Sequence, residues 1–262
     1  MEKKKSLGQH FLTSPKIILD IARAGEIKKS DTILEVGPGQ GVLTSVILES
    51  GAHVISIEKD DRLIPLLQDT FSKEIASGQL KLVHDDILNV NLSNIVKGDY
   101  KVIANIPYYI TGQIIRLFLE AKKQPKSMTL LLQKEVAKRI MAKNGKESLL
   151  SLSVKVYGEP KYMRDVGRGA FSPQPNVDSS VLKIDNISKN KFKNIEPEFF
   201  FKIIHAGFAH KRKQLLPNLS SLYDRVILQK TFEKLGLSSN IRAEDISVEK
   251  WLQICSNLKQ SK

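Results

Sequence analysis

A short polar and aromatic segment, Asn105-Ile106-Pro107-Tyr108, directly follows the largely apolar run Tyr100–Ala104. An asparagine side chain offers one acceptor and two donors, so Asn105 could accept a hydrogen bond from an exocyclic amine while its own NH2 is held elsewhere. Pro107 has no N–H, which would leave its carbonyl and that of Ile106 to face a ligand. Tyr108 could stack on a planar heterocycle. The segment therefore indicates a pocket at the end of a buried strand, although an ordinary Asn/Pro turn has the same pattern.

A second candidate site contains Gly37, Gly39 and Gly41, which stand at alternate positions between a predicted buried strand and a predicted helix. Glycines so spaced let backbone N–H groups and a helix N-terminus approach a ligand closely. The next predicted strand ends in Glu58, 21 residues after Gly37, where a ribose diol could donate to its carboxylate. The pattern favours nucleoside binding over a mere tight turn.

The glycine spacing also separates two classes of nucleotide-binding protein. Nicotinamide dinucleotide folds usually show Gly-x-Gly-x-x-Gly, whose third glycine would lie one place later than Gly41. Glu35 precedes the first glycine, and the pattern Glu-x-Gly-x-Gly-x-Gly resembles that of the S-adenosylmethionine-dependent methyltransferases. In that resemblance, Glu35 orients the loop or meets the amino-acid end of the methyl donor.

A third predicted strand, 79–84, leads into Asp85-Asp86, which places an acid where it could accept from the adenine amino group of the donor. Paired acids also suggest a metal site or acid–base chemistry. However, no further carboxylate or histidine cluster converges on them in the sequence, and a solvated turn is the usual alternative. We therefore expect no metal.

The predicted elements alternate between strands and helices, which favours a parallel, doubly wound sheet. Two last strands lack a long helix between them and predict an antiparallel closing hairpin. The expected fold class is α/β, with a Rossmann-like methyltransferase fold and a small all-helical C-terminal domain. The strands are predicted over 32–37, 53–58, 79–84, 100–104, 127–132, 148–157 and 178–184, with helices over 111–122 and from 133.

Together these motifs resemble the ribosomal RNA adenine N6,N6-dimethyltransferases, in their small-subunit form, over nearly the whole chain. Asn105-Ile106-Pro107-Tyr108 is similar to their motif for modifying exocyclic amino nitrogens. Gly8-Gln9-His10-Phe11-Leu12 is similar to a segment that closes one side of the methyl-donor site. The loop from Phe171 to Ser179 is similar to their Phe-x-Pro-x-Pro-x-Val-x-Ser pattern. The resemblance implies S-adenosyl-L-methionine as the methyl donor.

The resemblance also implies roles for individual residues. Phe171 and Tyr108 would sandwich the target base, and Asp86 and Ile87 would meet the donor's adenine. Without the resemblance, His10 is a local hydrogen-bonding residue and Phe171 a core side chain. The implied catalytic residues are Asn105, Pro107, Tyr108 and Phe171. The implied donor contacts are His10, Leu12, Glu35, Gly37, Gly39, Gly41, Glu58, Asp86, Ile87 and Asn105.

The composition points to a nucleic-acid partner. The formal charge is +13, from 41 Lys+Arg against 28 Asp+Glu, which predicts attraction to a polyanion. The apolar runs are shorter than a membrane span, and the basic start Met1–Ser6 precedes no apolar signal region. A single cysteine, Cys255, allows no internal disulfide and fits a reducing cytoplasm.

Two domains are expected: a catalytic domain over 1–188 and a helical, basic RNA-binding domain over 189–262, joined by a linker near Ser188–Asn194. Lys211-Arg212-Lys213 is either a solvated helix face or a phosphate clamp. Here the chain departs from the family, since Leu216-Pro217 stands where basic and Asn-rich sequence is usual, which weakens the expectation that this segment binds RNA.

The function expected from the resemblance is dimethylation of N6 in two adjacent adenosines, in a hairpin near the 3′ end of small-subunit ribosomal RNA. The partner would be an immature small subunit, and the protein would act as a cytoplasmic monomer with a role in ribosome biogenesis. One alternative is the large-subunit dimethyltransferase that confers macrolide resistance. Another is a non-catalytic RNA-binding or assembly factor on the same fold.

Overall fold

The computed structural model describes residues 10–142 and 144–260. Over this part, the chain forms two compact units. The first comprises the residues up to Ala137 together with Glu159–Ile187, and the second comprises Lys138–Gly158 together with the residues from Ser188 onward. One of the crossings between the units falls between Ile187 and Ser188, next to the domain division after residue 188 that is expected from the sequence. Segment 138–158, which that expectation placed in the catalytic domain, instead groups with the C-terminal residues.

In the first unit each strand is followed by one or two helices up to the unit boundary, which falls within a helix. In chain order they are β1 (Phe11–Leu12), α1 (Pro15–Ala24), β2 (Thr32–Val36), α2 (Val42–Glu49), β3 (His53–Glu58), α3 (Ile64–Thr70), α4 (Ser72–Ala76), β4 (Leu80–His84), α5 (Leu92–Ile95), β5 (Lys101–Asn105), α6 (Thr111–Glu120), β6 (Met128–Gln133) and α7 (Lys134–Met141). After α8 (Leu149–Lys155) of the second unit, the first continues with β7 (Glu159–Val166), β8 (Phe171–Ser172) and β9 (Ser179–Asp185).

Within the described residues, seven strands form one sheet in the order β4-β3-β2-β5-β6-β9-β7. Neighbouring strands from β4 to β6 are parallel, whereas β9 is antiparallel to both β6 and β7. A Rossmann-like α/β fold with an antiparallel closing hairpin is therefore confirmed. The chain reverses its winding at β2, which has β3 on one side and β5 on the other, and ligands bind at such switch points in open α/β sheets.

The prediction of a strand over 148–157 is wrong, because this segment forms the helix α8. Its apolar residues fit both periodicities, and the hydrogen bonds at its start favour the helix. Ser148 Oγ accepts the N–H of Ser151 at 3.1 Å, while Ser151 Oγ accepts the N–H of Ser148 at 2.6 Å. The strand that pairs with β9 in the closing hairpin is β7. Its Pro160 and charged residues are unusual in a central strand, so the sequence did not predict it, but they suit a strand at the edge of a sheet.

The core of the first unit joins the sheet to two of its helices. Ile33, Val54 and Ile103, on three neighbouring strands, are at most 1% exposed and belong to one apolar cluster with Ile21 of α1 and Ile47 of α2. Burying a side chain of this size stabilises the fold by roughly 1.5–3 kcal/mol. The buried strands thereby hold their carboxyl ends, where the polar residues lie, in fixed positions.

The second unit is helical, and α8 belongs to it. The other helices are α9 (Pro197–Gly207), α10 (Leu215–Leu219), α11 (Arg225–Leu235) and α12 (Val248–Gln260). Segment 138–158 contacts the C-terminal residues of this unit at two points. The N–H of Glu147 donates to the Glu244 carbonyl at 2.7 Å, and the ring of Tyr157 packs edge-on against that of Phe192. Cys255 lies buried in α12, where burial raises the pKa of its thiol to about 12. Among the described residues, every helix is too short or too polar to cross a membrane.

Candidate active site

A cleft opens in the first unit at the carboxyl ends of β2, β3, β4 and β5, next to the point where the winding reverses. Parallel strands bring their carboxyl ends to one edge of a sheet, so motifs far apart in the chain meet here. The lining residues are 10–12, 35–40, 42–43, 57–60, 85–87, 105–110 and 171.

The glycine loop after β2 forms one wall of this cleft. The φ angles of Gly37, Gly39 and Gly41 are 66°, 61° and 83°, in the region that favours glycine. A Cβ at Gly41 would lie 2.5 Å from a ring carbon of Phe71, so this position needs glycine for packing as well. Gly37 and Gly39 line the cleft, whereas Gly41 faces Phe71 and precedes α2.

Glu58, at the end of β3, holds the glycine loop through its carboxylate. Oε2 accepts the N–H of Gly39 at 3.1 Å, and Oε1 accepts those of Lys59 and Asp60 at 2.9 and 2.8 Å. The residue is only 6% exposed, and burial raises the pKa of its carboxyl, partly offset by these hydrogen bonds. A carboxylate has about four lone-pair sites, so Glu58 retains capacity for a further donor from the cleft.

Glu35 lies in β2, and its carboxylate is almost fully enclosed. Oε2 accepts hydrogen bonds from Thr44 Oγ1 of α2 and Ser56 Oγ of β3, both at 2.7 Å. Glu35 is 1% exposed, and burial raises the pKa of its carboxyl to about 7. These bonds join β2, before the glycine loop, to α2, after it. The sequence predicted that Glu35 either orients the loop or meets the donor, and these contacts are of the first kind.

Asp86 follows β4 and is held from two sides. Its Oδ2 pairs with Lys59 Nζ at 2.7 Å, and its Oδ1 accepts the N–H of Leu88 at 3.0 Å. The hydrogen bond from Lys59 lowers the pKa of Asp86, so the carboxyl stays ionised. The neighbouring Ile87 is 5% exposed and adds an apolar surface to the same wall. The sequence analysis did not include Lys59 among the site residues. Its position directly after Glu58 could have indicated that it lies at the site.

Asn105 ends β5 at the floor of the cleft. Its Nδ2 donates a long hydrogen bond, 3.5 Å, to the carbonyl of His10, which leaves Oδ1 as the acceptor in the cleft. The Pro107 carbonyl already accepts the N–H of Ile110 at 3.2 Å. The carbonyl of Ile106 is therefore the better second acceptor for a ligand, although the sequence left both carbonyls open.

Tyr108 and Phe171 both line the cleft, but the ring that stacks on Tyr108 is that of His10. The two ring centroids lie 6.0 Å apart with planes at 25°. Tyr108 Oη shares a hydrogen bond with Ser179 Oγ at 2.6 Å, and His10 Nδ1 donates to the Pro173 carbonyl at 2.8 Å. Phe171 pairs with Leu12 in the small β1–β8 sheet and is 3% exposed. His10 thus covers one face of Tyr108, the residue predicted to sandwich the target base with Phe171.

The structure brings nearly all the predicted site residues together. Of the implied donor contacts only Gly41 lies outside the cleft lining, and the four implied catalytic residues are all in it. Gly8 and Gln9 lie outside the described residues. Lys211, Arg212 and Lys213 belong to the second unit, in the loop between α9 and α10. Among the described residues, no three His, Cys, Asp or Glu side chains are placed to hold a metal ion.

The chain has close relatives among curated proteins. "Ribosomal RNA small subunit methyltransferase A" of Dehalococcoides mccartyi strain CBDB1 is 40% identical over 259 residues, which cover 97% of this chain and 88% of that protein. The protein of the same name from Fusobacterium nucleatum is 39% identical over 255 residues, or 96% of each chain.

Two solved structures of RNA-modifying and adenosine-modifying enzymes also resemble this chain. A dimethyladenosine transferase from Plasmodium falciparum superposes with a TM-score of 0.82 at 25% identity, covering 96% of this chain and 98% of that one. The 23S rRNA methyltransferase ErmE superposes with a TM-score of 0.78 at 25% identity, covering 95% and 100%. The ribosomal RNA adenine dimethylase family matches residues 1–260. The chain therefore belongs to the ribosomal RNA adenine dimethylase family, a family of rRNA methyltransferases.

Proposed function

We propose that this protein transfers methyl groups from S-adenosyl-L-methionine to the N6 amino groups of two adjacent adenosines in small-subunit ribosomal RNA. The observation that carries the proposal is the Asn105 amide, whose Nδ2 bonds to backbone while Oδ1 remains for an amino group entering the cleft. Relatives 39–40% identical bear the small-subunit name, whereas the 23S enzyme ErmE is 25% identical. That difference favours the small-subunit substrate over the large-subunit one.

The cleft offers suitable groups for the methyl donor. Glu58 has acceptor capacity left for a ribose diol, and the ionised Asp86 can accept from an adenine amino group beside the apolar Ile87. Gly37 and Gly39 let the backbone approach the amino-acid end. When bound, S-adenosyl-L-methionine supplies a methyl group activated by its sulfonium.

Asn105 acts on the target nitrogen. The N6 lone pair of adenine is delocalised into its ring, so it is a poor nucleophile until that conjugation is reduced. If Asn105 Oδ1 and the Ile106 carbonyl each accept one N6–H, the nitrogen is drawn towards a tetrahedral geometry. Both bonds strengthen as positive charge grows on N6, so they stabilise the transition state more than the ground state. The methylated nitrogen is then acidic enough to lose its proton to water, and no strong general base is needed.

Tyr108 and Phe171 hold the extruded target base in this proposal. The base would take the position that the His10 ring now occupies against Tyr108. One stacked base contributes roughly 1–3 kcal/mol, enough to offset much of the cost of unstacking it from the RNA.

A methyl-transfer assay tests the function. Labelled S-adenosyl-L-methionine is offered with immature small subunits, with large subunits and with naked ribosomal RNA. Methyl groups entering N6 of small-subunit adenosines are the expected result. Labelling of large subunits instead would identify the macrolide-resistance type of enzyme. No labelling, together with retained subunit binding, would identify a non-catalytic assembly factor, which the intact Asn105 argues against.

Replacing Glu58 with alanine should weaken donor binding about 10- to 150-fold. A charge-assisted hydrogen bond is worth on the order of 1.5–3 kcal/mol, and the substitution also releases the N–H groups that Glu58 holds. Calorimetric titration with S-adenosyl-L-methionine measures the effect, with Glu49→Ala on the exposed face of α2 as the control. Unchanged donor affinity would remove Glu58 from the site.

Reversing the charges of Lys211, Arg212 and Lys213 should flatten the salt dependence of RNA binding. Each phosphate contact contributes roughly 0.7–0.9 log unit of affinity per tenfold change in salt, so losing three contacts lowers the slope by about 2–3. Binding is measured over a salt series, with donor affinity expected to stay constant. The control is Lys73→Glu on an exposed position of α4. A slope equal to wild type would place the three residues away from the RNA.

The proposal extends to the setting of the reaction. We assign donor binding and catalysis to the first unit and RNA binding to the second, whose basic residues supply the attraction. We further propose that the partner is an immature small subunit, and that the protein acts as a monomer in the cytoplasm with a role in ribosome biogenesis. Labelling assays on assembly intermediates of different maturity, and sedimentation of the free protein, test these points.

A further inference from the structure

Tyr109 is an exposed aromatic residue at the rim of the cleft. It lies in the 3-10 turn Tyr108–Ile110, where both neighbours are partly buried, yet it is 62% exposed itself. Among the described residues it is the most exposed large apolar side chain. It also lines the cleft, although the functions proposed above give it no role.

The proposed function already assigns the rings of Tyr108 and Phe171 to the target base. The ring of Tyr108 stacks with His10, and Phe171 is 3% exposed. Tyr109 instead is 62% exposed, so much of its ring is open to solvent. A planar group that approaches from the solvent can therefore stack on Tyr109.

The surroundings of this ring suit a nucleotide. Lys59 lies near Tyr109, and its side chain is 58% exposed while its ammonium pairs with Asp86. An aromatic ring beside a cation is the combination that binds single-stranded nucleic acid, with the base stacked and the backbone attracted. The formal charge of +13 favours the same partner.

We propose that Tyr109 stacks on a base of the substrate RNA that flanks the target adenosine. This rests on the proposed function, because an enzyme that extrudes a base leaves the neighbouring bases without a stacking partner. An exposed ring beside the mouth of the cleft replaces that partner. Tyr109 is then a positioning residue, which holds the RNA while the target enters the cleft. Stacking of this kind tolerates any base at the flanking position.

Methylation kinetics of immature small subunits test the inference. Tyr109→Ala should raise the KM for the subunit about 5- to 150-fold, the equivalent of the roughly 1–3 kcal/mol of one stacked base, with little change in kcat or in donor affinity. Tyr109→Phe keeps the ring and should restore the wild-type KM, whereas Tyr109→Leu should not. Leu66→Ala, which removes a 41% exposed apolar side chain from α3, is the control and should behave as wild type.

Three outcomes overturn the inference. The first is a KM for Tyr109→Ala equal to wild type. The second is equal restoration by leucine and phenylalanine, since that identifies a general apolar contact. The third is a matching loss of calorimetric donor affinity, which places the ring on the donor. If the wild-type protein itself methylates no RNA, the proposed function fails and this inference fails with it, and the wild-type arm distinguishes that case from the other three.

Discussion

Replacing Asn105 with alanine is expected to reduce the turnover rate by about 10²–10³-fold, the range seen when a single transition-state hydrogen bond is lost. In the proposed mechanism Asn105 Oδ1 accepts one N6–H of adenine, and this bond strengthens as N6 becomes positive. Alanine leaves the Ile106 carbonyl as the remaining acceptor, so the nitrogen keeps more of its conjugation with the ring. In the proposed mechanism the donor's hydrogen bonds are made mainly by Glu58 and Asp86, so its affinity should change little.

Single-turnover measurements at saturating donor and RNA isolate this effect from binding. Asn94→Ala, at an exposed position in α5, is the matched control. A rate for Asn105→Ala close to that of wild type would overturn the assignment of Asn105. A large loss of donor affinity with an unchanged rate would instead make Asn105 a donor-binding residue.

Glu35 should make the protein less stable as the pH rises from about 4.5 to about 7. Its carboxyl has a pKa of about 7 in the folded state against 4.5 for an ordinary glutamate, because the folded protein encloses it. The folded state therefore holds this proton more tightly than the unfolded state does. The resulting stabilisation is fully present below pH 4.5 and is lost as the pH rises through 7. At about 1.4 kcal/mol per pKa unit, the loss amounts to about 3 kcal/mol.

Glu35→Gln should remove this dependence, because glutamine stays neutral and its oxygen can still accept from Thr44 and Ser56. The free energy of unfolding is measured by denaturant titration at several pH values for both proteins. The difference, variant minus wild type, should increase by about 3 kcal/mol between pH 4.5 and 7. Glu49→Gln reports the effect of removing one exposed carboxylate. A difference that does not vary with pH would show that folding does not raise the pKa of Glu35.

Much of the fold follows from local sequence patterns. The apolar runs that became β2, β3 and β5 needed no knowledge of their neighbours, because a strand buried on both faces is apolar throughout. Their carboxyl ends had to meet once the sheet was parallel, so Glu58 and Asn105 could be assigned to one site from the sequence. The family motifs placed His10 and Phe171 at that site as well.

Only the tertiary structure decided how these side chains are paired. It placed Gly41 against Phe71, Lys59 on Asp86, and His10 rather than Phe171 against Tyr108. Each of these contacts joins residues distant in the chain, and no local periodicity encodes which side chains meet across a cleft.

Segment 148–157 was decided in the same way. Its alternating apolar residues fit a strand and a helix equally, and the Ser148–Ser151 capping bonds and the packing of the second unit selected the helix. Local propensity is weak compared with burial against neighbouring helices, so a segment with an ambiguous pattern takes the structure that its tertiary partners stabilise.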